Sequence, residues 1–122
     1  MICSGLNVHT GENVTVEFGE TIESVTSLPL DDAAETFLSA GFIDLQVNGF
    51  SGVDFNSPLV SVEDIGRSIA AIFSTGVTRF FPTVITGAPD EMVASLQNLS
   101  QARNRLEYGE AIEGFVSADF IV

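Results

Sequence analysis

The sequence predicts an α/β fold, in which short strands over about residues 1–40 precede a regular alternation of strands and helices. Apolar and polar residues alternate from Val14 to Phe18, and Gly19-Glu20 then turns the chain, which is typical of a small β-meander. From Gly41 onward, strand and helix patterns alternate as they do in βαβ units, which favours a parallel sheet. With 122 residues, 45% of them hydrophobic, the chain can bury a core.

The first strand of this alternation is predicted at Phe42–Val47, and the first helix from about Val62 to Thr75. Ser61 precedes the helix as an N-cap, and Gly76 follows it where a C-cap glycine belongs. Apolar residues recur along the helix at spacings of three and four, which predicts one buried stripe. The stripe consists of Val62, Ile65, Ile69, Ile72 and Phe73.

The second helix is predicted to begin at Pro89, where the fixed φ of proline suits the first helical turn. Asp90 and Glu91 place negative charge at the positive end of its dipole. Strands are predicted on either side of this helix, at Val77–Ile85 and Ala111–Val116. The apolar side of the helix is predicted to comprise Met92, Val93, Leu96, Leu99 and Leu106.

The chain is strongly acidic, with 17 Asp and Glu residues against 4 Lys and Arg and a formal net charge of −13. This charge disfavours nucleic acid and anionic membrane surfaces as partners. Cys3 is the only cysteine, which excludes an intrachain disulfide. Met1–Thr10 lacks the features of a secretory signal, and no stretch approaches the ~20 apolar residues of a membrane span, so we expect a cytoplasmic protein.

The first strand carries an unusual set of polar residues towards its carboxyl end. Asp44, Gln46 and Asn48 are spaced by two, so an extended strand projects all three to the same side. Functional groups of parallel α/β folds gather at the carboxyl ends of the strands. The three side chains are therefore candidates for a site, and the alternative is that they satisfy backbone groups of the following loop.

The end of the second strand carries two hydroxyls, those of Thr83 and Thr86. They either contact a ligand or cap the following helix. Arg79 lies within the same apolar strand, and a buried ion pair with Asp44 or Glu113 is favoured over a phosphate contact.

Two segments carry a resemblance to a known family. Residues 41–49 and 52–56 resemble the first barrel strand and loop of N-acetylglucosamine-6-phosphate deacetylases, which belong to the amidohydrolase superfamily. Most amidohydrolases have His-x-His on this strand as metal ligands, whereas these deacetylases have Gln-x-Asn, matched here by Gln46 and Asn48. The family's second-strand segment is matched by residues 76–78 and 81–86.

The resemblance implies a partial (β/α)₈ TIM-type barrel, with its first three strands and two helices in residues 41–122. Residues 1–40 would form the N-terminal part of a small β-sandwich domain. It also implies a metal-dependent hydrolase that converts N-acetylglucosamine 6-phosphate to glucosamine 6-phosphate and acetate, with zinc or iron as the divalent metal. Gln46 and Asn48 would lie near the metal, with Asp44, Thr83 and Thr86 as supporting residues. Members of the family are often homo-oligomers.

The sequence departs from the family after the third predicted strand. There the family has a Gly-x-His-x-Glu-Gly-Pro segment whose glutamate binds the metal, and Ala118 stands at that glutamate position here. No catalytic residue and no metal ligand is therefore assigned within this chain. We expect a truncated form that does not bind the metal or catalyse alone; the alternative is a non-catalytic remnant or interaction module with exposed sheet edges.

Overall fold

The computed structural model describes residues 1–29 and 36–117, and it has a mixed α/β fold. The chain divides into two compact units, Met1–Ala40 and Gly41–Val122. None of the helices in the described part of the chain has the length and apolar character that crossing a membrane requires.

The first unit is a four-stranded sheet with the order β3-β2-β1-β4. Successive antiparallel pairing of β1, β2 and β3 produces the meander that the alternating pattern predicts, while β4 runs parallel to β1. The sheet therefore has one long-range pairing that the sequence pattern did not indicate. The strands are β1 (Ile2–Asn7), β2 (Asn13–Phe18), β3 (Ile22–Ser27) and β4 (Phe37–Leu38).

The second unit contains a three-stranded parallel sheet with the order β5-β8-β9, and a short antiparallel hairpin formed by β6 and β7. One helix lies between β5 and β8 in sequence, and another between β8 and β9. This is the alternation that the sequence predicts. The elements are β5 (Phe42–Val47), β6 (Gly49–Phe50), β7 (Val53–Asp54), α1 (Val62–Phe73), β8 (Val77–Val84), α2 (Pro89–Arg105) and β9 (Val116–Ser117).

Both ends of α1 follow from local chemistry. The hydroxyl of Ser61 accepts a hydrogen bond from the backbone N–H of Asp64 at 3.0 Å, which satisfies one of the unpaired donors of the first turn. Gly76 has a φ of +86°, a left-handed conformation that glycine adopts without a steric penalty. The chain can therefore leave the helix and enter β8 at Val77.

The core of the second unit lies between the helices and the sheet. From α1, Ile65, Ile69 and Ile72 are buried, as the predicted stripe requires. The rings of Phe55 and Phe80 stack with centroids 6.0 Å apart, so a loop residue is packed against the middle of β8. Further core residues are Val47, Val84, Leu99, Ala102, Ala111 and Ile112.

Two features of the second unit correct the predictions. Val93 is exposed, and Ser95 and Ala102 are buried on α2 instead, because the buried side of this helix is rotated away from Val93. The predicted third strand at Ala111–Val116 is replaced by a 3₁₀ turn at Gly109–Ala111 and a short strand at β9. Ala111 and Ile112 are nevertheless buried, and Ile112 pairs with Phe80 of β8 in an isolated parallel bridge, so pairing in this segment is limited to one residue before β9.

Candidate functional site

The carboxyl ends of β5 and β8 lie side by side, because the two strands are parallel and Val47 pairs with Pro82. Gln46 is the penultimate residue of β5, and Asn48 directly follows the strand. Both residues are exposed, and their side-chain amides make no hydrogen bond to another described residue. An amide side chain carries two donors and an acceptor, so both residues can bind a polar group at this edge of the sheet.

Asp44 and Thr83 are engaged with the backbone. A carboxylate oxygen of Asp44 accepts a hydrogen bond from the N–H of Gln46 at 3.1 Å. Thr83 is buried, and its hydroxyl donates to the carbonyl of Phe81 at 3.3 Å. Thr86 lies beyond the end of β8, is exposed and also has an interaction partner. Asp44 and Thr83 therefore bond main-chain groups of their own strands, Asp44 within β5 and Thr83 within β8. Among the described residues, Asp44 makes no such bond to the following loop, and Thr83 does not cap α2.

The loop that follows β5 begins with the β6–β7 hairpin. Ser51 and Gly52 have φ values of 51° and 81°, and two positive φ values in succession match the tight turn that joins such short strands. The loop then returns to the end of β5, where the N–H of Phe55 donates to the carbonyl of Asn48 at 3.0 Å. The backbone at Asn48 is thus tied to its own loop.

Three donors from the helices hold the carbonyl groups of this loop. The hydroxyl of Ser68 on α1 donates to the carbonyl of Phe50 at 3.1 Å. From α2, the hydroxyl of Ser95 donates to the carbonyl of Asn56 at 2.8 Å, and the side-chain amide of Asn98 donates to the carbonyl of Val60 at 2.7 Å. The loop is therefore fixed near its start, middle and end.

Asn56 is the functional candidate that the sequence did not single out. Its side-chain oxygen accepts from the N–H of Ile85 at 2.7 Å, and its side-chain nitrogen donates to the carbonyl of Asn48 at 3.2 Å. Asn56 lies in the segment 52–56 that carries the family resemblance, which gave it no individual role. A second local signal was Asp54 two residues earlier, whose carboxylate accepts from the N–H of Asn56 at 2.9 Å in a turn typical of Asp. The partner at Ile85 has no signature in the sequence.

The two arginines with acidic partners in the described part of the chain are on the surface. Arg79 pairs with Glu113, one of its two predicted partners, but the pair is exposed rather than buried, since no further element covers that part of β8 among the described residues. Arg67 pairs with Asp64, and this bond, followed by the bond to the Ser61 hydroxyl, holds the pKa of Asp64 below its ordinary value.

Among the described residues, no group of three or more His, Cys, Asp or Glu side chains is close enough together to hold a metal ion. Gln46 and Asn48 contribute amides, which are weaker metal donors than imidazole or carboxylate groups. The residues described here therefore do not form a divalent-metal site by themselves. Ala118, which stands at the glutamate position of the family segment, lies outside the described residues.

Sequence comparison finds curated relatives for this chain. The human N-acetylglucosamine-6-phosphate deacetylase is 43% identical over 63 residues, covering 48% of this chain and 15% of the human protein. The Haemophilus influenzae deacetylase is 43% identical over 84 residues, 63% of this chain and 22% of that protein. The Caenorhabditis elegans deacetylase is 36% identical over 97 residues, 72% of this chain and 23% of that protein.

The chain resembles the N-terminal portion of N-acetylglucosamine-6-phosphate deacetylases. Its matched residues span less than a quarter of the length of these curated deacetylases. No family model matches the sequence.

Solved deacetylase structures share the fold. The enzyme from Pasteurella multocida is 25% identical with a TM-score of 0.62, covering 88% of this chain and 32% of that chain. The deacetylase from Thermotoga maritima is 22% identical with a TM-score of 0.74, covering 96% of this chain and 31% of that chain. The described fold therefore corresponds to about a third of a solved deacetylase chain.

Proposed function

We propose that this chain forms the N-terminal part of a metal-dependent hydrolase that removes the acetyl group from N-acetylglucosamine 6-phosphate. The observation that carries the proposal is the 36–43% identity to curated deacetylases over as much as 72% of the chain. The matched deacetylases are several times longer, so the activity belongs to a longer polypeptide to which this chain contributes one part. The substrate class is an amino sugar phosphate.

In this proposal, Gly41–Val122 contributes the first β/α units of a (β/α)₈ barrel, and Met1–Ala40 contributes to a small β-sandwich. The parallel order β5-β8-β9, with one helix between each successive pair, supports the barrel assignment. Among the described residues no strand pairs with the outer edge of β5, which also supports the assignment, because a barrel has no free edges and a further strand would pair there.

Gln46 and Asn48 are the residues that we assign to the site. Their amides are exposed at the carboxyl end of β5, where parallel barrels bind their substrates. An amide in that position donates hydrogen bonds to an oxygen of the substrate or accepts one from a neighbouring polar group. Asp44 supports them by fixing the backbone N–H of Gln46, while Thr83 bonds a carbonyl within the neighbouring β8 and Thr86 follows at the end of that strand.

The divalent metal, zinc or iron in this proposal, needs ligands from outside the described residues. The phosphate of the substrate also needs cations from elsewhere. Arg67 and Arg79 are paired with carboxylates, and Arg103 and Arg105 lie in the last turn of α2, at the opposite end of that helix from the carboxyl end of β8. Cations from the rest of the longer protein, or from another subunit of a homo-oligomer, would bind that phosphate.

A chimera tests the proposal. In it, residues 1–115 of this chain replace the corresponding N-terminal region of the Haemophilus influenzae deacetylase, so that the host protein supplies its own residue in place of Ala118. We expect the chimera, supplied with zinc or iron, to release glucosamine 6-phosphate and acetate from N-acetylglucosamine 6-phosphate. The 122-residue chain alone should release neither. A chimera that is folded by circular dichroism but releases no product with either metal would overturn the proposal.

A double variant tests the assigned residues within the same chimera. Gln46→Ala combined with Asn48→Ala should lower kcat about 10²-fold or more, the usual cost of removing hydrogen-bond donors from an active site. The matched control is Gln97→Ala combined with Asn104→Ala, which removes two exposed amides from α2 and should leave kcat unchanged. Equal kcat values in the two double variants would exclude Gln46 and Asn48 from the site.

The exposed apolar residues of β5 favour a second candidate, a non-catalytic interaction module. Phe42, Ile43 and Leu45 are each more than half exposed, and β8 is the one strand that pairs with β5 in the part of the chain that the structure describes. Such an edge can add a strand from another chain. Light scattering and binding of a dye for exposed apolar surface test the interaction module. A stable monomer that does not bind the dye would contradict it.

A further inference from the structure

Asn56 occupies an unusual position between two strand ends. Its side chain accepts from the N–H of Ile85, just after β8, and donates to the carbonyl of Asn48, just after β5. Both contacts lie beyond Val47 and Pro82, the last pair of the β5–β8 ladder. A side-chain amide thus continues the hydrogen bonding of the sheet after the two backbones have stopped pairing directly.

The amide of Asn56 is held in its orientation from the loop side. Its nitrogen also donates to a carboxylate oxygen of Asp54 at 3.3 Å, and its backbone N–H donates to the same oxygen at 2.9 Å. Its backbone carbonyl accepts from Ser95 of α2, whose side chain is buried. Asn56 therefore connects β5, β8, α2 and the loop through one residue.

We propose that Asn56 is a positioning residue, which fixes the backbone of Asn48 relative to the end of β8 and so sets where the Asn48 and Gln46 amides meet a ligand. The catalytic meaning of this inference rests on the deacetylase function proposed above. The two hydrogen bonds of the Asn56 side chain, from the Ile85 N–H and to the Asn48 carbonyl, form a clamp. This clamp is a property of the loop and is measurable without any activity. Asn56 acts through Asn48 and has no contact with the reacting atoms in this proposal.

The loop has other attachments, so removal of the Asn56 side chain should loosen the clamp without unfolding the loop. Ser68 and Asn98 still hold Phe50 and Val60, and Phe55 stays stacked on Phe80 in the core. Asn98→Ala is a matched control for Asn56→Ala. Both substitutions remove an asparagine that donates to a carbonyl, and only Asn56 reaches the strand ends.

Amide hydrogen exchange and NMR relaxation on the 122-residue chain test the clamp. In Asn56→Ala, the N–H of Ile85 should exchange about fivefold to tenfold faster, which corresponds to the loss of one hydrogen bond. The N–H of Gly49 shares a peptide plane with the carbonyl of Asn48, which in this variant keeps only the bond from the Phe55 N–H, so the order parameter of Gly49 should fall. Asn98→Ala should change neither value. The proposal would be overturned if Asn98→Ala produced both the faster exchange at Ile85 and the lower order parameter at Gly49, or if Asn56→Ala produced neither.

Asn56→Asp combined with Asp54→Asn separates the two halves of the clamp. The pair of substitutions keeps an oxygen that accepts from Ile85 but removes the donor to Asn48, so Ile85 should stay protected while the order parameter of Gly49 falls. The change at Asp54 is needed because Asn56→Asp alone would place a second carboxylate at the 3.3 Å contact with Asp54. A merely structural role would instead move both readouts together. The same comparison serves if Asn56→Ala proves too unstable to measure, and loss of protection at Ile85 in the double variant would contradict the assigned acceptor.

Kinetics of the chimera connect the clamp to catalysis. Misplacement of a site by a distant substitution lowers rates by as much as about 10²-fold, so Asn56→Ala should lower kcat about 10-fold to 100-fold and change KM less than about twofold. Asn98→Ala should leave both unchanged. An active chimera whose kcat is insensitive to Asn56→Ala would overturn the positioning role. An inactive chimera would count against the deacetylase function, while the exchange data would still decide the clamp.

Discussion

The four strands of Met1–Ala40 form a single sheet layer, whereas in Gly41–Val122 two helices pack on a sheet and enclose a core. Among the described residues of the first unit, Val14 is the one buried large apolar side chain, and Ile2, Ile22, Val25 and Phe37 are all exposed. The second unit buries apolar residues from β5, β8, both helices and the loop. The first unit thus depends mainly on backbone hydrogen bonds, and the second on side-chain packing.

A pair of Phe→Ala substitutions provides the strongest test of this contrast. Phe80 is fully buried at 0% exposure and stacks on Phe55, so Phe80→Ala should lower the free energy of unfolding by about 3–5 kcal/mol. Phe37 is 74% exposed on β4, so Phe37→Ala should change it by less than about 0.5 kcal/mol. Urea denaturation measures the free energy of unfolding of both variants. Similar losses for the two variants would show that the units do not differ in this way.

Serine substitutions test a smaller contribution. Ser61→Ala removes the hydroxyl that caps α1 and should cost about 1 kcal/mol in urea denaturation. The control is Ser24→Ala in β3, where the hydroxyl makes a single exposed contact of 3.5 Å with Glu17. We expect no measurable loss for that variant, and a loss equal to that of Ser61→Ala would contradict the assigned cap.

The smallest expected effect is a pH dependence centred on Asp64. Because its folded-state pKa is lowered below the ordinary value of 3.8, its contribution to stability is present above that pH and is lost as the pH falls through the folded-state pKa. Arg67→Gln should therefore reduce the loss of stability on acidification, whereas Arg103→Gln on α2 should not. Parallel urea titrations at neutral and acidic pH compare them, and identical pH profiles for wild type and Arg67→Gln would contradict the prediction.

The predicted elements differ in how well the sequence defined them. Phe42–Val47 and the start of α1 at Val62 are confirmed, because a strand pattern and an N-cap are local signals. The predicted strand at Ala111–Val116 was wrong over most of its length. Ala111 and Ile112 are apolar because they are buried in the core, and an apolar run does not distinguish burial in a turn from burial in a strand.

The candidate site shows the same contrast between features that local sequence defines and features that depend on burial. Gln46 and Asn48 were recognised from a motif of nine consecutive residues, 41–49, which needs no knowledge of the fold. The exposure of the Arg79–Glu113 pair was missed, because burial depends on which elements cover β8. Whether Gln46 and Asn48 act in a site remains a prediction that the chimera experiments address.

The sequence by itself determined the αβ alternation, the caps of α1 and the likeness to a deacetylase family, because each is encoded by residues a few positions apart. Tertiary structure decided the role of Asn56. Its partners Ile85 and Ser95 are 29 and 39 residues away along the chain, and no periodicity or motif links positions so distant. They meet only because the core brings the loop, β8 and α2 together.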